Sequence, residues 1–289
     1  MKLFVFGYGY TAQALARRLG WAVAGTARGA ETVDKLRSEG VTAVDPADRH
    51  ALCEALEDAN AILVTAPPGD HGCPGLSALI PALAKGGAFP DWVGYLSTTG
   101  VYGDREGRWA FETSPLNARS IEGARRVRAE RDWLEVGRGM GLTVQVFRLP
   151  GIYGPRRSAF ERLKEGRARR IVKPGQVFSR IHVDDIASGL AASIARPRAG
   201  GIYNLCDDEP APPQDVIAYA AQLVGVAPPP EIAFEDARLP EAARRFYAEN
   251  KRVSNARAKA ELGWLPAYPT YREGLRAIGQ AAGLLHRDE

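Results

Sequence analysis

Short apolar runs alternate with longer amphipathic stretches through the first half of the chain. The runs have the length of strands and are mostly apolar, as strands are when helices cover both faces of a parallel sheet. The stretches between them place apolar residues three and four positions apart, which is typical of helices packed on one side. The predicted strands are residues 3–6, 22–26, 42–44, 61–65, 92–97 and 143–147. The predicted helices are residues 11–19, 31–38, 49–58, 75–85 and 118–136.

This alternation predicts the α/β class, with a doubly wound parallel sheet. Beyond about Gly151 it loosens, and helices dominate. The helix over residues 184–195 is predicted to have Asp184 or Asp185 as its N-cap, because a carboxylate accepts from the free N–H groups of a first turn. We expect this half to cover the carboxyl ends of the strands. Its other predicted elements are strands 181–183 and 202–205 and helices 160–165, 212–224, 241–248, 254–262 and 271–281.

The first predicted strand runs directly into a glycine-rich turn of the pattern G-x-G-x-x-A. In such a turn the first glycine permits a tight bend, the second leaves room for a pyrophosphate, and a small third residue allows close helix packing. The helix that follows offers free N–H groups to the phosphates. The alternative is an ordinary strand-to-helix turn, but the surrounding strand–helix–strand order favours dinucleotide binding. The residues expected at the cofactor are Gly7, Tyr8, Gly9, Tyr10, Thr11 and Ala12.

The end of the second strand distinguishes the two nicotinamide cofactors. A carboxylate there binds the ribose 2′-hydroxyl of NAD, but this chain has Thr26 and Arg28, and its next acid is Glu31 in the following helix. The guanidinium of Arg28 would make a forked, charge-assisted contact with a 2′-phosphate, and Thr26 would add a hydrogen bond. We therefore predict NADP rather than NAD, the alternative being an arginine solvated in a loop. Further cofactor contacts, each with an ordinary turn role as alternative, are predicted for Asp45, Thr65, Ala66 and Pro67.

The composition is typical of a soluble globular protein, with 45% hydrophobic and 25% charged residues among 289. No apolar run has the length that a membrane span needs, and the first residues do not resemble a signal peptide. The three cysteines, Cys53, Cys73 and Cys206, are scattered and odd in number. This argues against a disulfide framework and predicts a reducing, cytoplasmic location.

The net charge of +4 arises partly from two arginine clusters, at residues 125–128 and 167–170. Neither cluster is interleaved with aromatic residues, so we expect no nucleic-acid binding. A solvated helix face is the plain explanation, and an anionic substrate or the cofactor phosphates are the alternative. His71 and Cys73 are close in sequence but have no second ligand pair nearby, so we expect no metal site.

Four segments, in order, resemble the extended short-chain dehydrogenase/reductase family, whose members are NAD-dependent epimerase/dehydratase-like proteins. The first is the glycine turn. Residues 95–104 (YLSTTGVYGD) are similar to the S-S-x-x-V-Y-G signature, residues 147–155 (FRLPGIYGP) to the sixth strand and its loop, and residues 181–187 (IHVDDIA) to the H-V-D-D segment. The resemblance implies a Rossmann-type sheet and a small, mainly helical C-terminal substrate region. We assign residues 1–155 and 178–205 to the NAD(P)-binding domain and residues 156–177 and 206–289 to the substrate-binding region.

The catalytic residues of that family are only partly matched. A Ser or Thr polarises the substrate oxygen, a Tyr transfers a proton, and a Lys four residues later lowers the pKa of the Tyr. By register Thr98 matches the Ser/Thr position, although Ser97 and Thr99 are adjacent and leave a shift of one position open. The family pattern Y-x-x-x-K-x-x-x-E, aligned on Glu130, places Glu122 and Arg126 where the Tyr and Lys belong. The chain thus resembles an atypical subgroup that lacks the pair.

Two roles are open for the helix that carries these substitutions. Glu122 would act as an acid or base and Arg126 would bind the nicotinamide ribose, or both would lie on a solvated helix face. In the second case, the apolar residues of this helix would face the sheet. Ser97 and Pro150 complete the residues expected at the cofactor. The predicted sheet-facing residues are Ile121, Ala124, Val127 and Leu134.

The resemblance implies an NAD(P)-binding oxidoreductase or an epimerase/dehydratase relative. We expect it to be NADP-dependent and to act on a small carbonyl or sugar-type substrate with an altered proton donor. The alternative is a non-catalytic NADP-binding redox sensor or regulatory protein, since the Tyr–Lys pair is missing. We expect a monomer or a homodimer, with a small molecule as the partner and no association with membranes. The identity of the substrate does not follow from the sequence.

Overall fold

The computed structural model describes residues 1–87 and 89–285. In chain order its strands are β1 (Lys2–Phe6), β2 (Ala22–Thr26), β3 (Thr42–Val44), β4 (Ala61–Val64), β5 (Trp92–Thr98), β6 (Trp109–Ala110), β7 (Val144–Leu149), β8 (Gly151–Tyr153), β9 (Arg170–Val172), β10 (Arg180–His182), β11 (Ile202–Asn204), β12 (Glu231–Ala233) and β13 (Arg252–Val253). Its helices are α1 (Tyr10–Leu19), α2 (Ala30–Ser38), α3 (Arg49–Glu57), α4 (Pro74–Gly86), α5 (Ile121–Met140), α6 (Ala159–Lys164), α7 (Val183–Ala195), α8 (Pro213–Leu223), α9 (Glu241–Phe246), α10 (Ala256–Leu262) and α11 (Tyr271–Ala281). A single 3-10 turn, Thr99–Tyr102, follows β5.

Seven parallel strands form the main sheet, in the order β11-β7-β5-β4-β1-β2-β3. Every neighbouring pair is parallel. The order reverses between β1 and β4, which is the switch point where ligands bind beyond the carboxyl ends of the strands of such sheets. The predicted α/β class and doubly wound, Rossmann-type architecture are therefore confirmed.

The core has two halves, one on each face of the sheet. Alternate residues of β1 belong to different halves, because successive side chains of a strand point to opposite faces. Leu3 and Val5 pack with residues of α1 and α7. Phe4 and Phe6 pack with residues of α3, α4 and α5. This two-sided burial explains why β1 and β4, in the middle of the sheet, are apolar at nearly every position.

The inward face of α5 agrees with the prediction only in part. Ile121 is 63% exposed and Ala124 is exposed as well, so the prediction is wrong for these two, whereas Val127 and Leu134 are half-buried and pack against the core. The residues that α5 buries recur at helical spacing, but they include one charged residue and two glycines. A pattern of apolar residues alone therefore does not predict them. The glycines let the helix approach its neighbours closely, since a Cβ at Gly137 would lie 2.8 Å from Val144. The residues buried on α5 are Gly123, Ala129, Glu130, Trp133 and Gly137.

The N-cap of α7 is His182, not Asp184 or Asp185 as predicted. Its Nδ1 accepts a hydrogen bond of 3.2 Å from the backbone N–H of Asp184. Burial lowers the pKa of His182 to about 4, which keeps the imidazole neutral and able to accept. Asp185 has another task, because its carboxylate accepts from the N–H groups of Ala267 and Tyr268 at 2.6 and 3.1 Å. It fastens the C-terminal segment to the sheet domain.

Three small parallel sheets, each of two strands, join parts of the chain that are distant in sequence. They pair β6 with β13, β8 with β10 and β9 with β12. The sequence analysis missed β6, β8, β9, β12 and β13, which are only two or three residues long. The pair of β6 and β13 is the most relevant to the site, because it brings the segment around residue 252 against the loop that follows β5.

A buried ion pair joins α5 to β7 behind the carboxyl end of β5. Arg148 donates from Nη2 to Glu130 Oε2 at 2.7 Å, and only 3% of each side chain is exposed. Glu130 also accepts a 2.5 Å hydrogen bond from Ser97 Oγ. Arg148 donates at 3.0 Å to the hydroxyl of Tyr102, which donates at 2.7 Å to Asn204 Oδ1. The network thus fixes the backbone on both sides of Thr98.

Removing one charge of this pair leaves the other buried without a counterion. We expect Arg148→Met or Glu130→Met alone to lower the free energy of unfolding by about 3–5 kcal/mol. The double variant should lose about 2 kcal/mol less than the sum of the two. Urea unfolding of the four proteins measures this, with Arg37→Met, which breaks an exposed pair with Asp34, as the control that changes little. Strictly additive losses would contradict the coupling.

Candidate functional site

Two threonines hold the first glycine of the turn between β1 and α1. The N–H of Gly7 donates to Thr26 Oγ1 at 2.9 Å, and its carbonyl accepts from Thr65 Oγ1. Gly7 has a φ of +98°, in the region that favours glycine. A Cβ there would lie 2.7 Å from Thr65 Oγ1. Thr26 and Thr65, both predicted at the cofactor, therefore shape the turn itself.

The second glycine faces open space. Gly9 is the N-cap residue of α1, and no side chain caps the helix. A Cβ on Gly9 would meet nothing within 4 Å. The first turn of α1 contains no acidic residue, so its free N–H groups and partial positive charge are available to an anion. The turn fits a pyrophosphate, since a cradle bounded by backbone N–H groups is open where the phosphates approach.

The other residues of the turn support it from behind. Ala12 is fully buried in the core and Thr11 is 8% exposed. Tyr8 is half-buried and packs against Gly25 of β2. Tyr10 donates through its hydroxyl to the carbonyl of Pro155 at 2.9 Å, which joins the start of α1 to the loop after β8.

The two predicted residues at the far end of the cofactor crevice are both exposed. Arg28 lies two residues beyond β2, and within the described chain its guanidinium has no ion-pair partner. Asp45 follows β3 and accepts a hydrogen bond from the N–H of Ala47 at 2.9 Å, which is an Asx turn. Ala66 and Pro67 follow β4, with Ala66 half-buried and Pro67 exposed.

A cavity of about 390 Å³ opens at the carboxyl ends of β5 and β7. It brings together three of the predicted residues, namely Thr98, Glu122 and Pro150. Thr98 Oγ1 accepts from the N–H of Gly100 at 3.1 Å, so its own hydroxyl hydrogen remains free to be donated. Glu122 is exposed at the start of α5, where it borders the cavity.

Two other predicted residues lie outside that cavity. The hydroxyl of Ser97 points inward, where it donates to Glu130. Arg126 donates to the backbone carbonyl of Leu96, and its guanidinium carbon lies 5.8 Å from the centre of the Tyr95 ring. Both side chains hold β5 against α5, which is a structural contact in this conformation.

Buried tyrosines surround the site but do not line it. Burial raises the pKa of Tyr102 to about 12, and it raises the pKa values of Tyr95 and Tyr153 as well. A phenol with a raised pKa is a weaker proton donor near neutral pH. None of the described residues that line the cavity is a tyrosine. Within the described ranges, no phenol is therefore placed to transfer a proton in this cavity.

Sequence reasoning did not assign a role to the residues that close the cavity from the C-terminal side. Lys251 and Glu249 line it and form an ion pair of 2.5 Å. Arg245 and Phe246 of α9 also line it, and Phe246 packs on Phe178 with ring centroids 4.4 Å apart. These residues lie more than 100 positions after Thr98, so no spacing in the sequence connects them to it.

No helix in residues 1–87 and 89–285 combines the length and apolar character needed to cross a bilayer. Within the same ranges, His, Cys, Asp and Glu side chains do not gather in groups of three or more that would hold a metal ion.

The parallel sheet, its switch point and the open glycine turn define a dinucleotide-binding protein of the Rossmann type. A family model described as the NAD dependent epimerase/dehydratase family matches residues 5–206. The chain belongs to this family, which confirms the resemblance inferred from its four motifs. The cofactor class of the family is a nicotinamide dinucleotide.

Solved structures with the same fold extend over nearly the whole chain. A functionally unknown conserved protein from Silicibacter pomeroyi DSS is 48% identical, with a TM-score of 0.88 over 97% of this chain and 99% of that one. A dTDP-glucose 4,6-dehydratase from Bacillus anthracis str. Ames, in complex with NAD, is 18% identical, with a TM-score of 0.78 over 98% and 96%. A UDP-glucuronic acid 4-epimerase from Bacillus cereus, also with NAD, is 18% identical, with a TM-score of 0.77 over 98% of both chains. The last two likenesses show the fold alone.

A curated relative is similar over a shorter stretch. The 3-diazoavenalumate denitrifying reductase from Streptomyces sp is 36% identical over 103 residues, which are 34% of this chain and 33% of that protein. The chain thus matches about a third of the length of this relative.

The two glycines of the turn should respond differently to substitution. We expect Gly9→Ala to fold as stably as the wild type but to bind NADPH at least about 10-fold more weakly, because its methyl group occupies the open cradle. Gly7→Ala should lose both stability and binding, because of its positive φ and the close approach to Thr65. Thermal unfolding and NADPH fluorescence titration separate the two effects. Unchanged NADPH affinity in Gly9→Ala would contradict this placement of the pyrophosphate.

Proposed function

We propose that the protein is an NADP-dependent enzyme that acts on a small carbonyl or sugar-type substrate. The observation that carries the proposal is the cavity at the end of β5, lined by a free hydroxyl donor, Thr98. Because β4 alone separates β5 from β1, this cavity lies two strand spacings, roughly 10 Å, from the glycine turn along the sheet edge. A dinucleotide held at the turn is long enough to reach it.

The positions of the residues indicate a separate role for each of them in the site. The turn residues Gly7 to Ala12 would hold the pyrophosphate, and Pro150 would border the nicotinamide end. When bound, the nicotinamide supplies or accepts a hydride. Thr98 donates to the substrate oxygen, a contact that polarises a carbonyl. Glu122 stands at the exposed rim of the cavity, where an ionised carboxylate accepts hydrogen bonds from substrate hydroxyls.

The preference for NADP is supported by the exposed guanidinium of Arg28. It stands near the end of β2, where the ribose of a bound dinucleotide lies in Rossmann folds, and a guanidinium there favours a 2′-phosphate. Thr26, which the sequence suggested as a second contact, already binds Gly7 through its oxygen. The proposed preference for NADP over NAD therefore rests on Arg28 alone.

The reductase among the relatives supports an oxidoreductase over an epimerase or dehydratase. The name of that relative describes a reductive reaction, and the similarity includes roughly a third of this chain. We include a diazo compound among the test substrates for this reason.

Replacing Arg28 should change the cofactor preference. We expect Arg28→Ala to bind NADPH about 10- to 100-fold more weakly and NADH unchanged, because only NADPH carries the 2′-phosphate. Fluorescence titration of both cofactors measures this. Arg37→Ala, which removes an exposed charge on α2, is the matched control. Equal affinity for NADPH in Arg28→Ala and the wild type would contradict the proposal.

A substrate panel tests catalysis. Aldehydes, ketones, nucleotide sugars and a diazo compound are incubated with NADPH or NADP⁺. Absorbance at the nicotinamide band reports net oxidation or reduction, and chromatography of the products reports conversions that regenerate the cofactor. We expect the wild type to convert at least one compound, Thr98→Ser to keep most of the activity, and Thr98→Val to lose about 100-fold in kcat. Each variant should still bind NADPH.

The outcomes of this panel discriminate between the two functions. Equal kcat in Thr98→Val and the wild type would remove Thr98 from the site. NADPH binding without any turnover would contradict the enzyme and favour the sensor or regulatory protein that the missing Tyr–Lys pair also allows.

A further inference from the structure

The segment that carries Lys251 is held rigidly across the mouth of the cavity by its neighbour Asn250. The backbone N–H of Asn250 donates to Asp104 Oδ1 at 2.9 Å, and its carbonyl accepts from the N–H groups of Arg105 and Gly107. Its side chain accepts from the N–H of Val177 at 3.1 Å and donates to a further backbone carbonyl at 2.9 Å. All the polar groups of Asn250 are thus used, which gives the next residue a fixed position.

Lys251 reaches from this segment to the far end of the turn that Thr98 begins. Thr98 is the N-cap of the 3-10 turn, and Gly103 is its C-cap. The Nζ of Lys251 donates to the carbonyl of Gly103 at 2.8 Å and to Glu249 Oε2 at 2.5 Å. An ammonium has three N–H donors, and no other hydrogen-bond acceptor contacts Nζ among the described residues. One donor therefore remains for a molecule in the cavity.

The other charged groups of the cavity are less suited to act on a substrate oxygen. Arg245 forms an ion pair as Lys251 does, but its side chain is 56% exposed, so water screens its charge. Glu122 is exposed, and an ionised carboxylate accepts hydrogen bonds rather than donating them. The side chain of Lys251 is only 11% exposed. Of the two cations that line the cavity among the described residues, the ammonium of Lys251 is therefore the more shielded from water, which screens its attraction for a negative oxygen less.

We propose that Lys251 is a catalytic residue whose Nζ donates, together with the Thr98 hydroxyl, to the oxygen on the reacting carbon of the substrate. This inference rests on the proposed function of the cavity. The substrate oxygen belongs to a carbonyl or to the alcohol derived from it. As negative charge develops on the oxygen, an N–H bond of Lys251 breaks and an O–H bond forms. The resulting amine regains its proton from water at the cavity mouth.

Lys251 would thereby take over what the absent Tyr and Lys of the family motif supply together, a proton and a positive charge. The cation comes from the C-terminal segment instead of α5. Glu249 balances its charge at 2.5 Å, which limits the cost of partly burying an ammonium. The contact to Gly103 also ties the ammonium to the backbone turn that orients Thr98.

Three substitutions of Lys251 separate a proton donor from a structural contact. With the compound that the wild type converts best, we expect Lys251→Met to lose about 100-fold in kcat without a change in NADPH affinity. Lys251→Arg should keep KM within a few-fold and still lose kcat, because a guanidinium donates hydrogen bonds but does not release its proton. Lys251→Ala should regain at least about 10-fold in rate when ethylamine is added.

Lys259 provides the matched control. It forms an ion pair of 2.6 Å with Asp208, has a side chain 29% exposed and does not line the cavity. Lys259→Ala should keep kcat and should not respond to ethylamine. Full activity in Lys251→Met, or an activity loss in Lys251→Ala that ethylamine does not relieve, would overturn the inference.

A second measurement does not depend on turnover rates. Acetic anhydride labels exposed amines, and mass spectrometry of peptides reports the labelling of each lysine. With NADP⁺ present, saturating substrate should slow the acetylation of Lys251 about 5-fold or more and leave Lys259 unchanged. Equal labelling of Lys251 with and without substrate would overturn the inference.

The two proposals fail in different ways. If the wild type binds NADPH and converts no compound of the panel, the proposed function is contradicted, and the role of Lys251 is overturned with it. If the wild type is active and Lys251→Met is equally active, only the role of Lys251 is overturned.

Discussion

The buried ion pair between Glu130 and Arg148 is the constraint on which the site depends. A charge in the core is tolerated only when another charge and further hydrogen bonds compensate it. Here the compensation comes from Ser97, Tyr102 and the backbone carbonyl of Glu112, which lie around the end of β5. Satisfying the pair therefore fixes the backbone that presents Thr98. The rigidity of the site therefore results from the hydrogen bonds and the ion pair that the buried charges require.

Hydrogen bonds also fix the backbone of the cofactor turn. There, side chains that were expected to contact the ligand bind the backbone instead. Thr26 and Thr65 bind the N–H and the carbonyl of Gly7, so the tight bend is stabilised from two neighbouring strands. Gly9 faces outward, and the free N–H groups of α1 remain for the phosphates. The shape of the turn thus depends on backbone geometry, which explains why a short glycine pattern suffices to indicate it.

The cavity differs from the turn, because residues from distant parts of the chain line it. Thr98 and Pro150 come from strands of the main sheet, whereas Lys251 and Glu249 come from a segment fixed by β6–β13 pairing and by Asn250. The C-terminal region has core clusters of its own, one of them around Phe160 and Tyr271. Its residues Leu262 and Trp264 also belong to the core on one face of the main sheet.

The sequence by itself determined the features that depend on local order: the periodicity of strands and helices, the glycine turn, and the four family motifs with Thr98 among them. The register with the family pattern also places Glu122 and Arg126 at the positions of the Tyr–Lys pair, which stays a prediction. Only the tertiary structure decided that Ser97 points into the core, that His182 caps α7, that α5 buries Glu130, and that Lys251 lies in the cavity. Each of these depends on a partner or a burial that the local pattern does not encode. Thr98 and Lys251 are separated by 152 intervening residues, and only the packing of the tail against the sheet edge brings them to one cavity.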